Sequence, residues 1–294
     1  MRLHCSGAPS SGFDLEMRAV PVVRGPVLRK LPSAPKFSQS VAMSLSRFLR
    51  LAGACTLVAG MAAMHGAEPA IIGKARAMLA PDQVLDAVRS VHYVGSLTVT
   101  STAEPGQSLQ QEIEIVLEKP ARQRIVVKSP DTIEVSALDG YDAWRRTIDA
   151  KDQTKWQQSQ MSADQIKQLR ADVWENLAFF RGLEQQGGRV EDEGVVTIDG
   201  VECRKIAFYH GSAPAPYFRF FNASTGKLVM TGTPENNIRE EGELIAGGIR
   251  FPKTIVIAQK SGGETLTRRV TFEKITVNET FPDSLFAVPL PTLK

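Results

Sequence analysis

The sequence predicts a mainly β domain of the α+β class, an open, strongly curved antiparallel β-barrel of about eleven strands with two amphipathic helices over its concave face. Three observations predict this fold. Apolar and polar residues alternate through most of residues 93–277, which is typical of strands with one buried face. Turn dipeptides such as Asp139-Gly140 and Asp199-Gly200 separate the alternating stretches. Only two stretches have helical spacing, so the strands are expected to pair as an antiparallel series.

Residues 43–67 have the three parts of a secretory signal. Arg47 and Arg50 form a basic region, residues 51–64 are uncharged and mostly apolar, and small residues lie just before Glu68. The apolar run is shorter than the roughly 20 residues that a membrane-spanning helix needs. We therefore expect export to the periplasm with cleavage near Glu68. The alternative is a membrane anchor that stays attached.

Residues 1–42 are predicted to be a mis-annotated start or a disordered tail, with the true start at Met43. They hold six basic and two acidic residues and show no apolar periodicity. Residues 51–55 resemble a bacterial lipobox that ends at Cys55, but the apolar run continues past this cysteine, so lipid anchoring there is the less favoured interpretation. Residues 68–294 then form a single domain.

The charge of the mature part argues against a nucleic-acid partner. Eight of the 35 basic and two of the 32 acidic residues precede Glu68, which leaves 27 basic and 30 acidic residues and a net charge of −3. No basic footprint for phosphates is expected on such a chain. Cys203 is the one cysteine of this part, so no disulfide can form within it. Its alternating strand favours a buried structural role over that of a nucleophile.

The first helical stretch lies around Pro81. Ile71, Ile72 and the residues up to Leu79 begin it, and we expect a bend at the proline. Apolar residues then follow at i, i+1, i+4 and i+7, which are Val84, Leu85, Val88 and Val91.

The second helix is predicted over residues 162–181. Ser162 and Gln165 form a capping box at its start, and Gly182 or Gly187-Gly188 is expected to end it. An apolar stripe runs along it at steps of three and four, through Ile166, Leu169, Val173, Leu177 and Phe180. This helix is expected to cover one face of the sheet.

Strands are predicted wherever the period is two or an apolar run lies between turn residues. They cover residues 93–99, 112–118, 124–128, 133–137, 144–148, 195–198, 201–209, 217–221, 228–231, 242–245, 249–259 and 266–277. No strand is predicted in the polar stretch 149–162.

The mature chain carries no motif of a catalytic, metal or nucleotide site. His92 and His210 stand apart from any metal-binding pattern, and GxSxG, Walker and GxGxxG sequences are absent. Glu240, Glu241 and Glu243 are interpreted as a solvated loop or edge strand. We therefore predict no enzyme activity, no metal and no cofactor.

Aromatic residues are concentrated in the second half of the chain. They can form an ordinary core, or some of them can line a cavity for an apolar ligand, because a curved sheet encloses more volume than one layer of side chains fills easily. The predicted ligand-binding residues are Trp174, Leu177, Phe180, Phe218 and Phe220.

Five stretches resemble the periplasmic lipoprotein-carrier superfamily of LolA-like and LppX-like proteins, and most closely an uncharacterised family of predicted periplasmic proteins within it. They are residues 139–144, 200–206, 251–253, 270–278 and 281–286. The resemblance implies an open β-barrel with helical lids over a hydrophobic cavity that takes up acyl chains. The dedicated carriers hold the lid shut with a specific arginine, which no residue of this sequence matches clearly.

Two functions are consistent with these observations. The first is an exported protein that binds a lipid or a lipoprotein acyl chain in a cavity, in outer-membrane lipoprotein sorting. The alternative is a non-enzymatic interaction or sensor module with a filled core and an envelope protein as its partner.

We predict that the protein recovered from the periplasm begins near Glu68, because the charged and polar chain starts there. N-terminal sequencing of the periplasmic fraction measures this. A protein that retains residues 43–67 would contradict cleavage, and one that begins at an acylated Cys55 would show a lipoprotein instead.

Overall fold

The computed structural model describes residues 23–24, 68–210, 216–233, 236–261 and 263–289. The predicted signal, Cys55 and all of residues 1–67 except 23–24 lie outside this part of the chain. The predictions made for them, and the domain boundary at residue 68, stay predictions.

The described residues form sixteen strands and three α-helices. The strands are β1 Val23–Arg24, β2 Ser90–Ser101, β3 Ser108–Glu118, β4 Arg122–Lys128, β5 Thr132–Asp139, β6 Asp142–Asp149, β7 Trp156–Gln160, β8 Arg189–Ile198, β9 Val201–Tyr209, β10 Tyr217–Asn222, β11 Leu228–Gly232, β12 Asn236–Glu241, β13 Leu244–Ala246, β14 Ile249–Phe251, β15 Thr254–Ser261 and β16 Glu264–Val277. The helices are α1 Ala70–Leu79, α2 Asp82–Asp86 and α3 Ala163–Ala178, with 3-10 turns at Leu183–Gln186 and Asp283–Leu285.

Fourteen of these strands form one curved antiparallel sheet in the order β1-β7-β6-β5-β4-β3-β2-β16-β15-β12-β11-β10-β9-β8. Strands β1 and β8 are its two edges, so the sheet stays open. β13 and β14 form a separate hairpin. The predicted fold class is confirmed, although the strands are more numerous than the predicted eleven or so.

Strand β7 lies within the polar stretch where no strand was predicted. Its residues pair with β6, from Trp144 opposite Gln160 to Ile148 opposite Trp156. None of them is buried. A strand with no buried face shows no alternation of apolar and polar residues in the sequence. For this reason the alternation did not predict β7.

The first predicted helix is two helices rather than one bent helix. Ala80 between them is extended, with φ −172° and ψ 170°, because a residue before proline disfavours the helical conformation. α2 ends at Asp86, and Val91 lies in β2. The predicted stripe therefore spans a helix and the strand that follows it.

The capping box of α3 forms as predicted, with Ser162 accepting from Gln165 N–H and Gln165 accepting from Ser162 N–H. The helix ends at Ala178, before the predicted glycines. Phe179 and Phe180 follow in the left-handed region, with φ 49° and 76°. Because non-glycine residues rarely adopt this region, tertiary contacts must hold the two phenylalanines there.

The main core lies between α3 and one face of the sheet, here called the inner face. Val173 and Leu177 of α3 are fully buried against Leu138 of β5 and Phe251 of β14, in a single apolar cluster. The amphipathic stripe predicted for α3 thus faces the sheet. A second cluster packs α1 against β9 and β10, through residues such as Ile72, Phe208 and Phe221.

The C-terminal segment covers the opposite, outer face. Trp144 is buried there, and its indole Nε1 donates to the carbonyl of Phe286 at 3.0 Å. Arg122 lies 5.5 Å from the centre of the Phe286 ring and pairs with Asp283 at 2.9 Å. The segment 281–286, whose sequence resembles the end of the carrier proteins, therefore closes the outer surface and not the inner one.

Arg76 joins the three helices into one layer, here called the helical layer. Its side chain is fully buried and donates to the carbonyls of Ala178 at 2.7 Å and Phe179 at 3.2 Å, at the C-terminal end of α3. It also pairs with Asp82 at 2.7 Å and Asp86 at 2.6 Å. A cation at this end satisfies terminal carbonyls and opposes the helix dipole.

We predict that Arg76→Met lowers the free energy of unfolding by about 3 kcal/mol, because two carbonyls and two carboxylates lose a buried charged partner. Arg181→Met is the matched control. Arg181 also bridges two acids, Glu68 and Asp82, but at the surface, so its loss should cost less than about 1 kcal/mol. Urea unfolding of the three proteins measures both values, and equal losses would show that Arg76 has no special role.

Candidate functional site

A cavity of about 290 Å³ lies between the inner face and the helical layer. Its roof consists of apolar residues from α1, the end of α3 and β14, namely Leu79, Phe179, Phe180 and Phe251. Its floor is formed by β2, β3, β4, β15 and β16 through Tyr93, Ile115, Leu117, Ile125, Ile255 and Phe272. These inward side chains come from adjacent strands in register, with Tyr93 opposite Ile115 and Ile115 opposite Ile125.

Tyr93 fixes the apolar end of the cavity. Its ring lies 4.8 Å from the centre of the Phe272 ring and 6.0 Å, edge on, from that of Phe251. Burial and the nearby carboxyl of Glu240 raise the pKa of Tyr93, so the phenol stays neutral at physiological pH. This end of the cavity is therefore aromatic, with the Glu240 carboxyl nearby.

The opposite end contains a buried ion cluster between α3 and β10. Glu175 of α3 accepts from His210 Nε2 at 2.8 Å and contacts the guanidinium of Arg219. Burial opposes ionisation of this carboxyl, but Arg219 and His210 outweigh it and lower the pKa of Glu175. Glu175 is therefore charged and already paired on both sides.

Arg219 is enclosed by aromatic rings as well as by Glu175. Its guanidinium lies 4.7 Å from the Phe180 ring centre, 4.8 Å from that of Phe208 and 5.3 Å from that of Tyr217. Such contacts stabilise a cation away from water. Arg219 Nε and Nη1 are buried without a hydrogen-bond acceptor among the described residues, and Arg219 lines the cavity.

Asp172 lies one helical turn before Glu175, beside the ion cluster. Its carboxyl accepts from Gln168 at 2.8 Å and lies 3.9 Å from His210 Nδ1. Burial and the charge of Glu175 raise the pKa of Asp172 to about 6. This carboxyl therefore carries a cost when it ionises in the folded protein.

Glu240 does not lie in a loop or an edge strand, as interpreted from the sequence, although its side chain is exposed. β12 is an interior strand of the sheet, and Glu240 pairs there with Ile255 of β15 and lines the cavity. Glu241 and Glu243 do not line this cavity. Alternation along a strand separates Glu240 from Glu241, which the sequence presented as one acidic group.

A narrow space of about 70 Å³ adjoins the cavity between α1, β11 and the hairpin of β13 and β14. It shares Phe180, Glu240 and Phe251 with the cavity. Gly226 lies beside it with φ +80°, and a Cβ there would be 2.7 Å from Lys74. Glycine is therefore needed where α1 meets this turn.

Two larger grooves lie elsewhere on the surface. One, of about 430 Å³, lies between α3 and the 3-10 turn at Leu183, and the other, of about 560 Å³, lies near Gln110 and Lys128. Most of the residues that line them are polar or charged, and neither is lined by an aromatic ring other than that of His210. Neither groove suits an apolar ligand as well as the aromatic cavity.

The five predicted ligand-binding residues are found in four different places. Phe180 lines the cavity. Leu177 belongs to the filled core, and Trp174 packs on the turn after α3, where its indole donates to Gly182 O at 3.0 Å. Phe218 and Phe220 alternate with Arg219 along β10, so they lie on the outer face. There the Nζ atom of Lys205 lies 3.9 Å from the centre of the Phe218 ring. These two do not face the cavity.

Most residues of the cavity floor were not predicted, because the predicted ligand-binding residues were chosen from the second half of the chain, where aromatic residues are concentrated. Tyr93, Ile115 and Ile125 lie in three of the predicted strands, but nothing in the alternation showed which apolar positions surround empty space. Among the described residues, no group of three His, Cys, Asp or Glu side chains could hold a metal ion. Cys203 is buried, and burial raises the pKa of its thiol.

No protein-family model and no curated protein sequence matches the chain. Its fold is similar to that of a DUF1329 family protein from Desulfovibrio piger, with 12% identity and a TM-score of 0.48 over 74% of this chain and 96% of that one. It is also similar to that of a LolA superfamily protein from Nitrosomonas europaea, with 13% identity and a TM-score of 0.48 over 74% of this chain and 96% of that one. A third similar structure is a putative outer membrane lipoprotein-sorting protein domain from Vibrio parahaemolyticus. It has 7% identity and a TM-score of 0.46 over 73% of this chain and 95% of that one. The predicted resemblance is confirmed, and at these identities it concerns the fold alone.

In the part of the chain with described coordinates, no helix has the length and apolarity to cross a membrane.

We predict that Asp172→Asn stabilises the protein above pH 6. The folded pKa of about 6 exceeds the ordinary value of 3.8, so the wild type loses stability as pH rises from 3.8 to 6. Because this side chain is 40% exposed, we expect a gain of only about 1 kcal/mol above pH 6.

Denaturant unfolding across this pH range measures the effect, and the gain should vanish at the acidic end. Asp164→Asn on the first turn of α3 is the control, because Asp164 is 89% exposed and should change stability by less than about 0.5 kcal/mol. A wild type and an Asp172→Asn variant with parallel pH profiles would contradict the prediction.

Proposed function

We propose that this chain is an exported periplasmic protein that binds a hydrophobic ligand, a lipid or a lipoprotein acyl chain, in the cavity between the inner face and the helical layer. The observation that carries the proposal is the cavity itself, whose floor and roof are aliphatic and aromatic. Ligand pockets are typically concave and mostly apolar, with a few polar groups. We propose that the protein acts in outer-membrane lipoprotein sorting.

The free energy of such binding comes from removing methylene groups from water, at about 0.8 kcal/mol per CH₂. A volume of about 290 Å³ is at the lower end of the roughly 300–1,000 Å³ typical of ligand pockets. The cavity therefore suits part of a single chain. The adjoining space beside α1 provides a path along which a longer chain can extend.

The function proposed is binding and not catalysis. Glu175, a carboxylate that lines the cavity, is held by Arg219 and His210. A general base needs a free lone pair within reach of a substrate proton, and this pairing leaves Glu175 poorly suited to the task.

The second candidate is an interaction or sensor module with a filled core. It is favoured by the tight packing elsewhere under α3, where Val173, Leu177 and Leu138 are fully buried. In that case the cavity would be a packing defect with no ligand, and an envelope protein would bind the surface. Direct measurement of ligand binding separates the two functions.

We predict saturable binding of the neutral fluorescent probe N-phenyl-1-naphthylamine, and displacement of the probe by medium-chain acyl compounds. Phe180→Asp should weaken probe binding by at least about tenfold, because a charge in an apolar wall is costly to desolvate. Phe218→Asp is the matched control, since Phe218 lies on the outer face, and it should change the affinity by less than about twofold.

Circular dichroism melting confirms that both variants fold before binding is compared. No saturable binding to the wild type by the probe or by several acyl compounds would support the interaction module. Equal losses in the two variants would place the binding site outside the cavity.

A further inference from the structure

Arg219 lines the cavity and has two hydrogen-bond donors that no described residue satisfies. Its Nη2 group contacts the carboxylate of Glu175. The Nε and Nη1 groups are buried, and neither Glu240 nor any other described residue supplies an acceptor to them. Buried polar groups in native proteins nearly always have a partner, and a charged donor without one is costly. A ligand in the cavity is a source of the missing acceptor.

The position of Arg219 follows from the register of β10. It pairs with Ile206 of β9 and Thr231 of β11, and its side chain is 14% exposed. Three aromatic rings lie around the guanidinium, and of these three the ring of Phe180 is the one that lines the cavity. Phe180 belongs to no helix or strand. A ligand atom therefore reaches the guanidinium from the cavity by displacing this ring, which breaks no backbone hydrogen bond of a helix or strand.

The cavity floor changes from apolar to charged along the order of the strands. From β4 through β3 and β2 to β16, it is lined by apolar residues, Tyr93 and the amide of Gln123. The charged residues of the floor, Glu240 and Arg219, lie on β12 and β10, beyond β15. A ligand that fits both parts has a hydrocarbon chain at one end and a polar group at the other.

We infer that Arg219 anchors the ligand: its guanidinium donates hydrogen bonds to the carbonyl or carboxylate oxygen of an acyl chain, whose hydrocarbon part lies along the floor of β2, β3 and β4. The inference rests on the proposed function and specifies which group of the ligand the cavity recognises. Hydrogen bonds from a charged donor are stronger than those between neutral groups. Because Glu175 already balances the charge of Arg219, a neutral carbonyl oxygen suits the site as well as a carboxylate does.

The test uses Arg219→Lys, which keeps a cation opposite Glu175 and removes the Nε and Nη1 donors. Methyl decanoate, decanoate and decylamine each displace N-phenyl-1-naphthylamine from the protein at neutral pH. The ester and the carboxylate accept hydrogen bonds, whereas an ammonium group has no acceptor. We expect the ester and the carboxylate to bind at least about tenfold more weakly to the variant, while the affinities for the probe and for decylamine change by less than about twofold.

Arg250→Lys is the matched control, because it makes the same substitution at another arginine that lines the cavity. Arg250 is half exposed and lies 3.6 Å from Glu243, so water satisfies its remaining donors. This variant should change each of the affinities by less than about twofold.

Glu175→Gln tests the same contact from the other side and decides the question if Arg219→Lys does not fold. It keeps the shape of the side chain and removes the charge that balances Arg219. Decanoate should then bind about tenfold more tightly, while the affinity for the probe changes by less than about twofold. Circular dichroism melting confirms that the variant folds, and unchanged decanoate binding to the folded variant would overturn the inference.

Unchanged affinities of Arg219→Lys for both the ester and the carboxylate would overturn the inference and leave the proposed function intact. So would an equal loss for decylamine, because it would show a general change in the cavity. A loss for methyl decanoate alone supports the anchor and assigns an ester-linked chain, and a loss for decanoate alone supports it and assigns a free fatty acid. Absence of probe binding to the folded wild-type protein would overturn both this inference and the proposed function, so the two failures are distinguishable.

Discussion

The arrangement of the helices over the sheet depends on the buried guanidinium of Arg76. One side chain of α1 satisfies two terminal carbonyls of α3 and two carboxylates of α2. The carbonyls of a helix end need partners when they are buried, and a cation provides them with favourable charge. Three helices that are separate in sequence therefore act as one layer, and this layer forms the roof of the cavity.

The same contact helps to shape the cavity wall. Ala178 and Phe179, whose carbonyls Arg76 binds, are the last residue of α3 and the first beyond it. Phe179 and Phe180 adopt left-handed backbone conformations there, and both rings line the cavity. A helix that continued to Gly182 would have placed these rings elsewhere on its surface. The roof thus results from a long-range polar contact that ends the helix early.

The charged end of the cavity shows how burial and pairing balance. Glu175 and Arg219 are separated from water together, which is favourable only because each has close partners: His210 for the acid and aromatic rings for the base. Removing one member of such a pair leaves a buried charge. Asp172 lies beside this pair, where burial and the charge of Glu175 raise its pKa. Asp172 is therefore a carboxyl through which pH can act on the stability of the domain.

Alternation along the chain predicted which residues of β2, β3 and β4 share a face. Alternation could not assign the faces of β10, because apolar residues occupy both faces of this strand. A shift of one residue in the register would exchange its two faces. Phe218 and Phe220 were therefore assigned to a cavity from which the structure separates them. The face of each residue became clear only from the neighbouring strands, which place Arg219 and Glu240 inside.

The sequence by itself determined the strand-rich class, the positions of most strands, the capping box at Ser162 and the buried stripe of α3, because local periodicity and caps depend on residues close together in the chain. The tertiary structure alone decided where α3 ends, that β7 is a strand, and which side chains surround empty space. Each of these depends on contacts between distant residues, as Arg76 shows by bonding to Ala178, 102 positions away. A cavity is a gap left between packed elements, and no short segment of sequence encodes a gap.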